Sequence, residues 1–162
     1  MAKADMFLRL EGQKTGIVKG ESNAPNHLEE IEILGFDWGM SSTGAFSGRG
    51  AATKAALNEL RLTKNTDAAS TQLMSVMRNN ELIKMAVLSV RKAGVSPPFD
   101  YLKITIQRGR ISSLTIGNDS PGLPELFERV HIAFEEIEVE YAAQDPGGGK
   151  KASSLFNASV SP

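Results

Sequence analysis

Apolar and polar residues alternate along most of this sequence, in short runs separated by turn-forming residues. In the first run Met6, Leu8 and Leu10 share one parity, and this two-residue period is typical of a half-buried β-strand. The predicted strands are Met6–Leu10, Ile17–Ser22, one that begins at Ile31, Ala55–Thr63, Ala86–Lys92, Tyr101–Arg108, Ile111–Gly117, Leu126–Phe134 and Ile137–Tyr141. Gly109, with an arginine on each side, predicts a tight turn between the sixth and seventh strands. Many short strands at regular spacing predict a mainly β protein.

The alternation changes phase inside the strand that begins at Ile31. Ile31 and Ile33 lie on one parity, whereas Phe36 and Trp38 lie on the other. A β-bulge has this effect, because one extra residue turns every later side chain to the opposite face. We therefore expect a bulge at Leu34–Gly35.

A second phase change occurs between Leu57 and Leu60, which predicts another bulge at Asn58–Glu59. Bulges bend strands, and bent strands allow a sheet to close into a barrel. In such a barrel Trp38 is expected to be an anchor of the core. Asp37, the residue before it, is then expected to point outward.

One segment, residues 67–79 (DAASTQLMSVMRN), shows helical spacing instead, with Leu73 and Val76 on one face. Asp67 or Ser70 can accept the first free backbone N–H groups of a helix that begins there. We therefore predict a closed antiparallel β-barrel with one α-helix near residues 67–79, whose apolar face covers an end of the barrel.

The size and composition are those of one globular domain: 162 residues, of which 41% are hydrophobic and 23% charged. After the last predicted strand the sequence becomes rich in glycine and serine (DPGGGKKASSLFNASVSP). We predict a barrel domain over residues 1–145 and a C-terminal tail over residues 146–162 that is mobile in an isolated subunit.

The net charge, the lack of cysteine and the lengths of the apolar runs exclude several classes of partner and of chemistry. The formal net charge of -1 argues against a nucleic acid or an anionic membrane held by bulk charge. Cysteine is absent, so disulfides and thiolate chemistry are excluded. No apolar run has the roughly 18 residues that a transmembrane helix needs. The N-terminus, MAKADMFLRLEG, lacks the apolar run of a signal peptide.

Motifs for catalysis or metal binding are lacking in the sequence. Both histidines, His27 and His131, are expected at the surface or at an interface, and they are not at metal-ligand spacing. Ser47, in AFSGRG, lacks the first glycine of a nucleophile elbow. In GGGKKASS, Lys151 stands where a phosphate-binding loop needs a hydroxyl residue. We predict no enzyme activity, no metal and no cofactor, with a monomeric ligand-binding barrel or a small hydrolase using either histidine as alternatives.

Several stretches follow one another over nearly the whole chain in a distinctive order. They are ADMFLRLEG, VKGES, IEILGFDWGMSSTG, LRLTKNTDAASTQLM, LSVRKAG, YLKITI, ISSLTIG and FEEIEVEYAAQD. In this order and spacing they resemble the Hcp family, the tube-forming subunits of the bacterial type VI secretion system. The resemblance implies a compact β-barrel with one helix, assembled as hexameric rings that stack into the ejected inner tube. A phage-like tail-tube protein is the alternative of the same structural class.

The resemblance also implies partners and a location. The partners would be other copies of the chain, contractile sheath proteins, a VgrG-type spike and small effector proteins held and chaperoned in the channel. Neither nucleic acid binding nor membrane insertion is implied. The protein would be made in the bacterial cytoplasm and then secreted to the extracellular space or a target cell by the type VI system, without a signal peptide.

Two functional regions follow from the resemblance. Asp37 falls where the family turns a small polar residue into the channel, and a ring of aspartates there is expected to bias which cargo is retained. Residues 44–53 match the extended loop that reaches the neighbouring ring, with Phe46 as its anchor and Arg49 as an ion-pair partner. The predicted ring-contact residues are Gly44, Phe46, Ser47, Arg49 and Gly50. The loop lacks the long glycine run of some relatives, and the tail has Leu155 and Phe156 where a Gly-Trp element is common.

Overall fold

The computed structural model of the chain describes residues 5–42, 55–92, 98–118, 122, 125–144, 147 and 150–160. Over these residues the fold is mainly β with one helix, α1 (Ser70–Arg78), which confirms that part of the prediction. The strands in chain order are β1 (Met6–Gly12), β2 (Gly16–Val18), β3 (Ile31–Ile33), β4 (Gly35–Asp37), β5 (Met40–Ser41), β6 (Ala56–Leu57), β7 (Leu60–Asn65), β8 (Ile83–Arg91), β9 (Asp100–Gly117), β10 (Phe127–Ala133), β11 (Glu136–Gln144) and β12 (Lys150–Ser159).

The strands form one large antiparallel sheet and a separate two-stranded ladder of β5 and β6. The main path of the large sheet runs β2-β1-β8-β9-β10-β7-β4, with β11 beside β9 and β12, and β3 beside β1. A closed barrel is not confirmed, because β2 and β4 end the path without pairing with each other in the described part of the chain. Leu34 alone separates β3 from β4, so one short segment pairs with β1 and then with β7.

The predicted phase changes coincide with these changes of partner strand. Ile31 and Ile33 on β3 are buried, and Phe36 on β4 packs against the same core from the opposite parity. At Asn58–Glu59 the chain likewise passes from β6, which pairs with β5, to β7, which pairs with β10 and β4. The expected bulges are therefore breaks between two pairings.

The predicted turn at Gly109 is wrong, since β9 continues through it from Asp100 to Gly117. The strand bends there instead: Arg108 has a φ of 56°, and a Cβ on Gly109 would lie 2.9 Å from the carbonyl oxygen of Ala133. On one side of β9 the partner strand changes at this bend from β11 to β10, and on the other side β8 begins opposite Gly109. Glycine is needed here for close backbone approach, not for a turn.

Helix α1 packs its apolar face into the core, as its sequence spacing predicts. Leu73 and Val76 are fully buried. Before the helix, Asp67 Oδ1 accepts the N–H of Ala69 at 3.0 Å, and Ser70 Oγ accepts the N–H of Asp67 at 2.9 Å. Within the described residues, no helix has the length and apolar character that a membrane crossing requires.

The expected mobility of the C-terminal tail is wrong for Lys150–Ser159. These residues form β12, which pairs with β11 over most of the length of both strands. Backbone hydrogen bonds to β11 order this strand even though its composition is that of a tail, and its side chains stay largely exposed. The division into residues 1–145 and 146–162 stays a prediction.

A buried ionic cluster joins β7, β10 and the start of α1. Lys64 and Glu128, 1% and 0% exposed, are direct cross-strand partners, and Lys64 Nζ lies 3.2 Å from Glu128 Oε1. The same ammonium group lies 2.9 Å from Asp67 Oδ1 and donates to Ser70 Oγ at 3.1 Å. Glu128 Oε2 has no hydrogen-bond partner among the described residues. Because a buried charge is costly unless it is balanced, this cluster holds the register of β7 against β10.

We expect Lys64→Met to lower the free energy of unfolding by about 3–5 kcal/mol, because it leaves the Glu128 carboxylate buried without its cation. Replacing both charges, Lys64→Met with Glu128→Leu, should cost less than the single substitution. Urea denaturation at a fixed protein concentration measures both, with Lys84→Met at an exposed position as the control. A single variant as stable as the wild type would contradict this role for the cluster.

A second buried carboxylate, that of Glu81, holds the turn between β1 and β2. Its Oε2 accepts the N–H groups of Lys14 and Thr15 at 2.8 and 2.7 Å, and its Oε1 accepts the Thr15 hydroxyl at 2.7 Å. Burial by itself would raise the pKa of Glu81, but these hydrogen bonds and the charge of Lys14 outweigh it. The pKa of Glu81 is therefore held below its ordinary value.

Because folding lowers this pKa, Glu81 contributes stability above its ordinary unfolded-state pKa and loses it as the pH falls through the folded-state pKa. We expect Glu81→Gln to destabilise the chain at neutral pH by about 1.5–3 kcal/mol, the contribution of hydrogen bonds to a charged group. Urea denaturation at neutral and at acid pH, with exposed Glu125→Gln as control, should show the difference from wild type shrinking in acid. A difference that stays constant with pH would refute the assignment.

Candidate functional site

Asp37 lies exposed at the end of β4, on the side of the sheet that faces away from the core. We call this surface the Asp37 face: the outward side chains of β4, β7, β10 and residues 110–117 of β9. Alternation along these strands builds it, since the intervening side chains enter the core. Its outward side chains are Asp37, Arg61, Thr63, Asn65, Ser113, Thr115, Phe127, Arg129 and His131.

The strand register brings the charged residues of this face side by side. Asp37 lies opposite Arg61, which in turn lies opposite His131. Arg129 is two positions from His131 on β10, opposite Thr63. Asp37, Arg61, Thr63, Arg129 and His131 all line one shallow hollow of about 340 Å³. The aspartate is therefore part of a mixed, arginine-containing surface.

Further contacts position the side chains around this hollow. The Arg129 guanidinium lies 4.9 Å from the centroid of the Phe127 ring, within cation–π distance. His131 Nδ1 is 4.0 Å from Glu59 Oε1, and that oxygen also accepts a hydrogen bond from the Ser112 hydroxyl at 2.9 Å. Sequence reasoning missed the two arginines and Glu59 at the edge of the hollow. The alternation of apolar and polar residues along β7 and β10 could have placed the arginines on the outward face.

Trp38 fixes the chain directly after Asp37. The side chain is partly buried and packs against the core, as expected of an anchor. Its Nε1–H donates to the carbonyl oxygen of Asn58 at 2.9 Å, and its ring lies 6.4 Å from that of Phe156 on β12. Since Phe36 packs against the same core, the exposed Asp37 is held between two anchored aromatic residues.

The predicted ring-contact residues Gly44, Phe46, Ser47, Arg49 and Gly50 lie outside the described residues. The base of their loop is described: Met40 and Ser41 of β5 pair with Leu57 and Ala56 of β6. The N–H of Asn58 also donates to the carbonyl oxygen of Gly39 at 3.0 Å. The segment between β5 and β6 is thus joined to a paired, two-stranded base.

The sheet that carries the Asp37 face has two outer edges without a strand partner in the described part of the chain. At one side β4 pairs with β7 alone. At the other, residues 110–117 of β9 pair with β10 alone, because β8 begins only opposite Gly109. Such edges present unpaired backbone N–H and C=O groups that can pair with another strand.

His27, expected at the surface or at an interface, is instead buried, with 6% of it exposed. Its Nδ1 and Nε2 each lie 2.9 Å from a carboxylate oxygen, of Glu30 and Asp100 respectively. Its ring stacks on Phe7 with centroids 4.5 Å apart. These contacts fix the loop before β3 to the start of β9. Within the described residues, no three His, Cys, Asp or Glu side chains form a group that could hold a metal ion.

Comparison with known proteins gives consistent matches over most of the chain. Residues 7–141 match a family model described as "Type VI secretion system effector, Hcp". The protein hcp1 of Pseudomonas aeruginosa strain PAO1 is 36% identical over 148 residues, which are 90% of this chain and 88% of that protein.

Solved structures of type VI secretion proteins share the fold. One titled "Structure of a type six secretion system protein" superposes with a TM-score of 0.82 at 24% identity, over 96% of each chain. A type VI secretion system effector from Yersinia pestis has a TM-score of 0.74 at 25% identity, over 96% of this chain and all of that one. The family model and the relative from Pseudomonas aeruginosa together establish that the chain belongs to the Hcp family of type VI secretion proteins.

Proposed function

We propose that this chain is the subunit of hexameric rings that stack into the ejected inner tube of a type VI secretion system. Membership of the Hcp family supports a role in this system. The observation that favours ring assembly is the pair of free edges on the sheet that carries the Asp37 face. A monomer would leave both edges open to uncontrolled strand pairing.

The two edges differ, and this difference suits a closed ring. If β4 of one copy pairs with residues 110–117 of β9 in the next, each copy uses its β4 edge for one neighbour and its β9 edge for the other. Such a head-to-tail contact produces a ring when the rotation between copies closes. The Asp37 face would then continue from copy to copy around a central channel.

The natural chain has no cysteine, so strand pairing between copies can be tested by disulfide formation. We expect a variant with one cysteine on each edge, Asp37→Cys with Thr115→Cys or Ser113→Cys, to give an oxidised ladder on a denaturing gel that ends at six chains. Neighbouring strands bring Cα atoms to roughly 5 Å, within the range that a disulfide spans.

Each single-cysteine variant is the control, and it should give no product larger than a dimer. The pair Ser75→Cys with Lys84→Cys, on exposed positions away from the sheet edges, should give no ladder. Chains that remain monomeric in all the edge combinations would refute ring assembly through these strands.

We further propose that residues 44–53 form the contact between stacked rings, with Gly44, Phe46, Ser47, Arg49 and Gly50 as contact residues. The paired base of β5 and β6 supports this role, because it holds the two ends of the loop together. Small residues around Phe46 suit a segment that orders on contact. Phe46 would supply the apolar anchor and Arg49 an ion pair.

Replacing residues 44–53 by a short glycine-serine linker is expected to leave hexameric rings but abolish their stacking and secretion. Electron microscopy of the purified protein would show single rings, and immunodetection in culture supernatant would show loss of export. A glycine-serine replacement of residues 119–121, within the connection between β9 and β10 (residues 118–126), is the control. Tubes that persist without the loop would contradict the assignment.

The remaining parts of the proposal concern the channel and its partners. Asp37 and its neighbours would face the channel, where small effector proteins are bound and chaperoned. Contractile sheath proteins would surround the tube and a VgrG-type spike would cap it. The chain would act without catalysis, metal or cofactor, and would be made in the bacterial cytoplasm before export by the type VI system.

A further inference from the structure

Two arginines of the Asp37 face are exposed and lack an acidic partner in the described part of the chain. Neither Arg61 nor Arg129 forms an ion pair within the described residues. The register makes them diagonal neighbours, since Arg61 lies opposite His131 and Arg129 opposite Thr63. Diagonal positions on adjacent antiparallel strands lie about 7–8 Å apart. Two long side chains at that distance can contact one ligand together.

The surroundings of these arginines suit a carboxylate. The contact with Phe127 restrains the Arg129 guanidinium, so less conformational freedom is lost when a ligand binds. A guanidinium group presents parallel N–H donors that match the two oxygens of a carboxylate. The Thr63 hydroxyl and the His131 imidazole line the same hollow and offer further donors.

The formal charge of the hollow is opposite in sign to the net charge of the whole chain. Its lining includes two arginines and one aspartate, a formal charge of +1 with His131 neutral, whereas the whole chain has a net charge of -1. Glu59 lies at the margin, near His131, and its Oε1 is hydrogen-bonded to Ser112. A local positive surface on an acidic protein concentrates anionic groups at that surface.

We infer that the Asp37 face binds acidic segments, rich in aspartate and glutamate, of the proteins that the ring carries. The inference rests on the proposed function. A ring of aspartate charges was expected to select the cargo, whereas here the two arginines attract acidic cargo and the charge of Asp37 weakens that attraction. A protein is favoured over a nucleic acid, because the phenyl ring among the outward side chains of this face, that of Phe127, already lies against the Arg129 guanidinium.

The test uses a fluorescently labelled deca-glutamate peptide and the full chain, with binding followed by anisotropy at low and at raised salt. We expect binding that weakens with salt. Arg61→Ala and Arg129→Ala should each weaken it roughly fivefold, the effect of an exposed ion pair. Asp37→Asn should strengthen it. Arg78→Ala, an exposed arginine on α1 outside this face, should leave it unchanged.

Equal binding by wild type and the Arg61→Ala/Arg129→Ala double variant would overturn the inference, as would no binding or a preference for deca-lysine. Tighter binding of a single-stranded oligonucleotide of the same length would assign the face to nucleic acid instead. Light scattering on the same samples separates this result from ring assembly. If a monomer binds the peptide through its arginines, the surface for acidic ligands is supported and the tube-subunit proposal is rejected. If the chain forms rings that do not bind the peptide, the tube-subunit proposal is supported and the surface for acidic ligands is rejected.

Discussion

The ammonium group of Lys64 is enclosed between the carboxylates of Glu128 and Asp67, and the surface that we assign to the channel depends on this arrangement. Lys64 and Glu128 face each other across β7 and β10. A slip of one residue between these strands would separate the two charges in a medium that solvates them poorly. The same register sets Arg61 opposite His131 and Arg129 opposite Thr63. Burial of one ion pair on the inner side therefore determines which charges meet on the outer side.

The strands and the helix could be predicted from the sequence because each has a local cause. Alternation located most strands, and helical spacing located α1 within a few residues. Partner choice could not be predicted in this way, since it depends on residues distant in sequence. Gly109 was therefore taken for a turn, although β9 only bends there, and Lys150–Ser159 was taken for a mobile tail, although β11 supplies its hydrogen bonds.

The candidate site was predictable only in part. Asp37 was located through resemblance, and the structure confirms that it is exposed, while its place in a channel stays a prediction. Lys64 shares the parity of Leu60 and Leu62. A charged residue on the apolar parity of a strand indicates a buried ion pair, and the sequence prediction did not include it. His27 gave no such signal, because its environment is built by Asp100, far along the chain.

The edges of β4 and of residues 110–117 of β9 connect this chain's fold to assembly, since neither edge has a strand partner among the described residues. In a ring each copy would provide the strand that its neighbour lacks. Light scattering after size exclusion, together with negative-stain microscopy of the purified chain, tests this most directly. The account predicts six-fold rings with an open centre. A stable monomer over a wide range of protein concentration would contradict it.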